Sequence, residues 1–355
     1  MPLTVAVGLS GGVDSTVAAL LLKQQGYQVI GLSMSVYDKG DHHLAHVGGS
    51  CYGPEEKEEI QDIHLWCQEQ GIPHHVIDCS EEFKKTVLSY FQSEYKNGKT
   101  PNPCVMCNMS MKFGILLEKA QKMGIHFDRF ATGHYARTEE KDGRFLLKKG
   151  IDPKKDQSYF LYRLSQEQLS KIMFPLGDKT KQEIRQIASD LKLAVAQKPE
   201  SQDFYAGSYT DLLDLPPKKG VIMHQNGKVL GSHFGYWNFT RGQRKGLGVA
   251  SAEPLYVIDL DPEKNVVWVA EEKYLTQKET TLKNLNWIAD INKLSFPLKA
   301  MVKYRSNGKE QEALLSLKED QSVLIQFTEN QKVLPSGQSA VFYQGDFVLG
   351  GGVIV

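Results

Sequence analysis

Thr4-Val5-Ala6-Val7-Gly8-Leu9-Ser10-Gly11-Gly12-Val13-Asp14-Ser15 is the stretch on which the fold turns. Its first four residues are a short apolar run that stops at glycine, as a buried strand does. From Val13 to Gln25, apolar residues such as Val13, Val17, Leu20 and Leu21 fall at helical spacing, and Gly26 ends the run. The same alternation continues downstream. Gln28 to Tyr37 reads as a strand, Glu55 to Gln70 as a helix, His74 to Asp78 as a strand and Phe83 to Tyr95 as a helix. Met111 to Lys122 reads as a further helix and Asp128 to Thr132 as a strand that ends at Gly133. Strands alternating with helices predict an α/β fold, a parallel sheet covered on both faces.

Glycines between a strand and a helix let backbone N–H groups approach an oxyanion closely. The positive end of the following helix adds to this, so the loop suits a phosphate. Ser10 and Ser15 supply hydroxyl donors, and Asp14 is a candidate magnesium ligand. The Gly-Lys-Ser/Thr ending of a Walker loop is absent, and so is the dinucleotide G-x-G-x-x-G pattern. An ordinary Gly-rich turn is the plain alternative. The loop resembles the pyrophosphate-binding loop of the ATP pyrophosphatases, among them tRNA thiolases and argininosuccinate, GMP and NAD synthetases. That resemblance implies ATP-driven adenylation of a carbonyl oxygen with release of pyrophosphate. Fold and loop name a class, not a substrate.

The 355 residues suit two or three domains, and 41% hydrophobic with 24% charged residues is the balance of a soluble globular chain. The opening segment has no basic flank, and glycines interrupt its apolar run, so neither a signal peptide nor a membrane span is expected. The expected location is the cytoplasm. Five cysteines, an odd count, argue for reduced thiols rather than a disulfide framework. Lys plus Arg and Asp plus Glu each number 42, which is weak evidence against nucleic-acid binding unless charge is arranged locally. Two basic clusters, Lys141 to Lys155 and Arg241-Arg244-Lys245, are either such arrangements or solvated faces.

Ser165 to Leu193 reads as mostly helical. From about Tyr256 the strands become short and frequent, as in Leu255–Asp259, Val266–Ala270, Ala300–Tyr304 and Val323–Phe327. Turns such as Asn307-Gly308 and Pro335-Ser336-Gly337 separate several of them, which predicts a small β-barrel. The expected domains are a catalytic domain at 1–205, a small central domain at 206–277 and a C-terminal β-barrel at 278–355.

Thr100-Pro101-Asn102-Pro103-Cys104-Val105-Met106-Cys107-Asn108 carries two cysteines at C-x-x-C spacing, just before the helix expected at Met111. A thiol near a helix N-terminus tends toward thiolate. The pair suits a disulfide, a persulfide relay or a shared metal, although a zinc site normally needs a second ligand pair. Core cysteines are the plain alternative.

With this segment the chain resembles the tRNA-specific 2-thiouridylases. Thr132-Gly133-His134-Tyr135-Ala136-Arg137, Lys155-Asp156-Gln157-Ser158-Tyr159-Phe160-Leu161, Phe174-Pro175-Leu176-Gly177, Arg241-Gly242-Gln243-Arg244-Lys245-Gly246-Leu247-Gly248 and Gly337-Gln338-Ser339-Ala340-Val341-Phe342-Tyr343 follow in the family's order. The resemblance implies the family's three-domain plan and a set of roles. Gly8, Leu9, Ser10, Gly11, Gly12, Val13, Asp14 and Ser15 bind ATP, with Met34 and Gly133 near the adenosine. Asn102, Pro103 and Cys104 approach the target base, and Cys107 is the nucleophile. His134 and Gln338 support activity. Lys155, Asp156 and Gln157, with Lys303, Tyr304 and Arg305, contact tRNA.

The chain departs from the family at two places. Cys104 stands where the commoner pattern has Asp, and Tyr205 stands where a second catalytic cysteine belongs. Tyrosine cannot carry a persulfide. In one account Cys104 replaces the missing partner, one sulfur carrying the persulfide and the other resolving it as a disulfide. In the other, Cys104 and Cys107 help hold an iron–sulfur cluster with Cys51 as third ligand. The first is favoured. The implied reaction is adenylation of the wobble uridine O2 followed by sulfur transfer to C2, with tRNA and a sulfur donor as partners. An ATP pyrophosphatase acting on a small metabolite leaves the C-x-x-C and the barrel without purpose. A non-catalytic tRNA-binding factor is the alternative that Tyr205 favours.

Overall fold

A computed structural model describes residues 2–37, 50–198 and 204–355. Four strands of the first sheet are β1 (Thr4–Gly8), β2 (Gln28–Ser35), β3 (His74–Asp78) and β4 (Arg129–Ala131). They lie in the order β3-β2-β1-β4, with the short strand Ile172–Met173 beyond β4, and every pairing is parallel. The chain steps one way from β1 to β3 and then returns to the other side of β1 with β4. Such a reversal opens a crevice at the carboxyl ends of β1 and β4, where α/β sheets hold their ligands.

Helix α1 (Val13–Gln24) is buried nearly all round, including Ser15 and Thr16. It therefore lacks a polar face, and its packing rather than an amphipathic stripe holds it. Helix α2 (Glu56–Gln70) ends at Gly71, whose φ of 61° is a left-handed cap.

Two helical runs differ from the sequence reading. The one expected at Phe83 to Tyr95 spans 80–96, with a π-helical stretch at Lys84–Leu88. The one expected to start at Met111 starts at Pro103 and continues to 122. Both cysteines of the C-x-x-C thus lie inside a helix rather than ahead of it. Asn102 explains the earlier start: its side chain caps the helix by accepting from Val105 N–H at 3.2 Å, and Pro103 takes the first helical position. Ser165 to Leu193 holds two helices, Gln166–Lys171 and Lys181–Asp190, split by Ile172–Met173 and the turn at Phe174-Pro175-Leu176-Gly177.

Leu255–Asp261 and Val266–Glu271 have the short spacing of the barrel strands, but they lie outside the barrel and within the central domain expected at 206–277. They pair with Gly220–His224 and Val229–His233 in a separate four-stranded sheet. The barrel closes through six strands. Gln277–Trp287, Val323–Gln331, Gln311–Leu317, Leu298–Lys303, Ser339–Gln344 and Phe347–Ile354 follow in order, and the last pairs back to the first. Alternate residues fill its interior: Val323, Ile325 and Phe327 are all 0–1% exposed. Each such buried side chain contributes about 1.5–3 kcal/mol.

A hairpin, Ala136–Lys141 with Arg144–Lys149, leaves the first domain and joins the barrel sheet where Lys148 faces Phe347. Part of the basic cluster at 141–155 is engaged by this docking and by pairing within the hairpin. Arg144 donates to the Ile288 carbonyl at 2.7 Å, Lys148 pairs with Glu139 at 2.8 Å and Lys149 with Glu310 at 2.6 Å.

Candidate active site

The glycine loop closes on itself. Ser10 N–H donates to Ser15 Oγ at 3.2 Å, and Ser15 Oγ donates to the Gly12 carbonyl at 3.1 Å. Gly11 holds φ at 71°, a conformation that favours glycine. Leu9 N–H is tied to the Leu32 carbonyl at 2.8 Å, which fixes the loop to the end of β2. Met34 lies just past that point, half-buried at the carboxyl end of β2. Gly8, Gly12, Val13 and Ser15 complete the turn into α1 as the sequence predicts.

Asp14 has a different setting from the one expected. Lys181 Nζ lies 2.8 Å from both carboxylate oxygens, and Tyr135 O–H donates to Oδ1 at 2.8 Å. Lys181 is only 7% exposed, so the ion pair is sheltered from solvent. A magnesium ion on Asp14 would have to share that carboxylate with the lysine or displace it. Sequence patterning did not single out Lys181 or Tyr135, because they reach Asp14 from 167 and 121 residues away, respectively.

The turn after β4 links this loop to the cysteines. A Cβ on Gly133 would lie 2.7 Å from Ser15 N and 2.8 Å from the Asp14 carbonyl carbon. Only glycine lets the two backbones meet. The next residue, His134, shares a hydrogen bond with Thr132 Oγ1 at 2.8 Å and sits 5.9 Å, ring to ring, from Phe113 of the cysteine helix. Burial, helped by the charge of Lys112, pulls its imidazole down to about 3. His134 is therefore neutral at physiological pH and offers hydrogen bonding there rather than charge.

Cys104 and Cys107 are half-buried in the first turns of the 103–122 helix. The expected thiolate character is not found in the resting protein: burial pushes the Cys107 thiol up to about 11, against an opposing pull from Lys112. Cys51 is exposed, and its charge is felt by both Cys107 and Lys112. Cys67 and Cys79 are fully buried core residues, and burial raises them to about 11 and about 12. Among the described residues no three His, Cys, Asp or Glu side chains are grouped to hold a metal ion. Cys51, Cys104 and Cys107 as placed do not fit an iron–sulfur cluster.

The barrel reaches into this site. Gln338 Nε2 donates to the carbonyls of Thr100 and Pro101, each at 3.0 Å, and Thr100 N–H donates to Ser336 O at 2.9 Å. Gln338 thus clamps the approach to the cysteine helix. Asn102 is spent as the helix cap described above, and its backbone N–H donates to Tyr90 O–H at 3.4 Å.

The remaining expected contacts divide. Asp156 accepts from Gly150 and Ser158 N–H at 3.1 Å each, and Gln157 Oε1 accepts from Tyr135 N–H at 2.9 Å, so both side chains hold the local turn. Lys155 is half-buried. Lys303 Nζ lies 6.0 Å over the Tyr159 ring, and Tyr304 O–H donates to Gln331 Oε1 at 3.0 Å, just past its strand. Arg305 is exposed. Tyr205 is 2% exposed and donates to Asp211 Oδ2 at 3.2 Å, a packing role. Ser201-Gln202-Asp203 lie outside the described residues.

Three family descriptions match the chain: a tRNA methyl transferase HUP domain at residues 3–205, a tRNA methyl transferase PRC-barrel domain at 213–271 and an aminomethyltransferase beta-barrel domain at 277–354. The chain is 46% identical to the tRNA-specific 2-thiouridylase MnmA of Endomicrobium trichonymphae, covering 99% of this chain and 98% of that one. It is 45% identical to MnmA 2 of Thermoanaerobacter sp. (strain X514), covering 99% and 97%, and 41% identical to MnmA of Rickettsia felis, covering 99% and 96%. Likeness at this level along the whole length makes the chain a member of the tRNA-specific 2-thiouridylase family.

Proposed function

We propose that the protein uses ATP to exchange the O2 of a tRNA wobble uridine for sulfur. The observation that carries this reading is the Thr132-Gly133-His134 turn. Its glycine touches the phosphate loop and its histidine touches the cysteine helix, so nucleotide and sulfur chemistry meet at one crevice. ATP lies with its phosphates on the loop at 8–15, Met34 and Gly133 flanking the adenosine. The base leaves the anticodon stack to reach the crevice, as enzymes acting on bases require. Lys155 and the Lys303-Tyr304-Arg305 stretch of the barrel meet the tRNA, with Arg305 the most exposed of them.

The uridine O2 attacks the α-phosphorus, the bond to the β-phosphate breaks, and pyrophosphate leaves. A persulfide on Cys107, loaded beforehand by transfer of sulfane sulfur from the persulfide of a sulfur-donor protein, whose own thiol is released, attacks C2 with its terminal sulfur, and AMP departs with the original oxygen. Cys104 then attacks Cys107 Sγ. A Cys104–Cys107 disulfide forms and the sulfur stays on the base as 2-thiouridine. A dithiol reductant restores both thiols. Magnesium belongs to this reading only as the counter-ion of the nucleotide's phosphates, and no step is assigned to it. None of the five cysteines is in a disulfide, which suits a reducing compartment such as the cytoplasm.

The test is pyrophosphate release from ATP with and without unmodified tRNA. Release that depends on tRNA supports the reading. Release driven equally by small carbonyl metabolites favours the metabolite-acting alternative, and no release under any condition favours a binding factor.

A further inference from the structure

The helix that carries the cysteines changes register at Cys107. Cys107–Ile115 is π-helical, between α-helical turns at Pro103–Met106 and Leu116–Lys122. At 3.6 residues per turn, Lys112 would point about 140° away from Cys107. Bonding from i to i+5 instead brings residue i+5 close to the azimuth of residue i, and such insertions cluster at functional sites. Gln168 holds the altered register: its Nε2 donates to the Met109 carbonyl at 3.0 Å and the Phe113 carbonyl at 2.8 Å.

Lys112 is half-buried, yet among the described residues no carboxylate pairs with its ammonium. A sheltered lysine ordinarily finds an acidic partner. Burial pulls the affinity of Lys112 for a proton down, while negative charge on Cys107, Cys51 or Cys104, once those thiols ionise, raises it above the ordinary lysine value. His134 also feels its charge. A cation with no carboxylate partner among the described residues, within electrostatic reach of three thiols and a neutral imidazole, is a site prepared for a sulfur anion.

We propose that Lys112, brought round by the π-helical register, is the positioning residue that holds the thiolate or persulfide anion of Cys107 in the reactive state. This rests on the proposed thiolation, in which Cys107 carries the transferable sulfur. At rest the thiol is protonated by burial. When substrates exclude water from the crevice, the attraction between Lys112 and a sulfur anion strengthens. Lysine is suited to the task, because a compact ammonium acts as a point charge on a single atom.

The test is the rate at which iodoacetamide alkylates Cys107 at pH 8, followed by peptide mass spectrometry on the full-length protein, alongside 2-thiouridine formation. Lys112→Gln is expected to slow alkylation about tenfold, the effect of one unit in the thiol pKa. Lys112→Arg restores most of that rate by restoring the charge. Thiouridine formation falls in Lys112→Gln and recovers in part in Lys112→Arg, while ATP binding is unchanged in both. Gln168→Leu, which frees the π-helical carbonyls without touching the charge, is expected to slow alkylation as well and covers the case in which Lys112→Gln does not fold. Alkylation at the wild-type rate in folded Lys112→Gln, or in Gln168→Leu where that variant alone folds, overturns the proposal, as does undiminished thiolation in folded Lys112→Gln. If the wild type makes no thiouridine, the proposed function falls, and the alkylation rates still decide whether Lys112 governs the thiol.

Discussion

The glycine loop at 8–15 and the cysteine helix at 103–122 face the same crevice but are built differently. The loop is held mainly by its own residues: Ser10 to Ser15, Ser15 to Gly12 and Thr16 to Gly12. The cysteine helix is held from outside, by Gln338 of the barrel, Tyr90 of the preceding helical run and Gln168 of a later helix. A phosphate cradle needs only backbone N–H groups in one conformation, which a short sequence can specify. A thiol tuned for sulfur transfer needs a particular degree of burial and a particular neighbouring charge, and those come from distant segments.

The largest expected effect separates the two halves of the crevice. Cys107→Ser should reduce 2-thiouridine formation by roughly a thousandfold or more while ATP binding persists, read by nucleoside mass spectrometry and nucleotide titration. The reverse cut is Gly133→Val. The added side chain meets the backbone of Asp14 and Ser15, so tRNA-dependent pyrophosphate release should fall on the order of 100-fold. Alkylation of Cys107 should continue in that variant. If both functions fall together, the two regions are not separable.

Smaller effects test how the cysteine helix is held. Gln338→Ala removes both donors to Thr100 and Pro101 and should lower kcat by roughly tenfold with KM for ATP unchanged. Asn102→Ala loses the cap and should cost about 1 kcal/mol in denaturant unfolding. His134 sharpens the comparison through pH. Its folded value, about 3, lies below the unfolded one near 6.5, so the unfolded chain binds the extra proton between them. Stability from this group is complete above pH 6.5 and is lost as pH falls toward 3. Thermal unfolding of His134→Gln should therefore lose less on acidification from neutral pH than the wild type does.

The α/β fold was legible because strand, glycine loop and helix follow within a few residues, and the apolar spacing of each is local. The phosphate loop was legible for the same reason. The start of the cysteine helix was not, because its cap, Asn102, lies between two prolines that read as a stiff approach. Lys112 was invisible to helical periodicity: α-spacing assigns it to a face away from Cys107, and only the π-helical stretch corrects that. Lys181 lies far along the chain from Asp14, and no short-range pattern joins them. The strands at Leu255–Asp261 and Val266–Glu271 look like barrel strands, since spacing does not reveal which sheet a strand joins. Tyr205 was excluded as a sulfur carrier by its chemistry alone; its burial and its hydrogen bond to Asp211 come from packing that the sequence does not display.

The most direct test of the account is mass spectrometry of tRNA nucleosides after incubating anaerobically purified protein with ATP, magnesium, a persulfide-bearing sulfur donor and unmodified tRNA, comparing wild type with Cys104→Ser and Cys107→Ser. The account predicts 2-thiouridine with the wild type and none with either variant. Undiminished 2-thiouridine from Cys107→Ser, or none from the wild type under any sulfur supply, would contradict it.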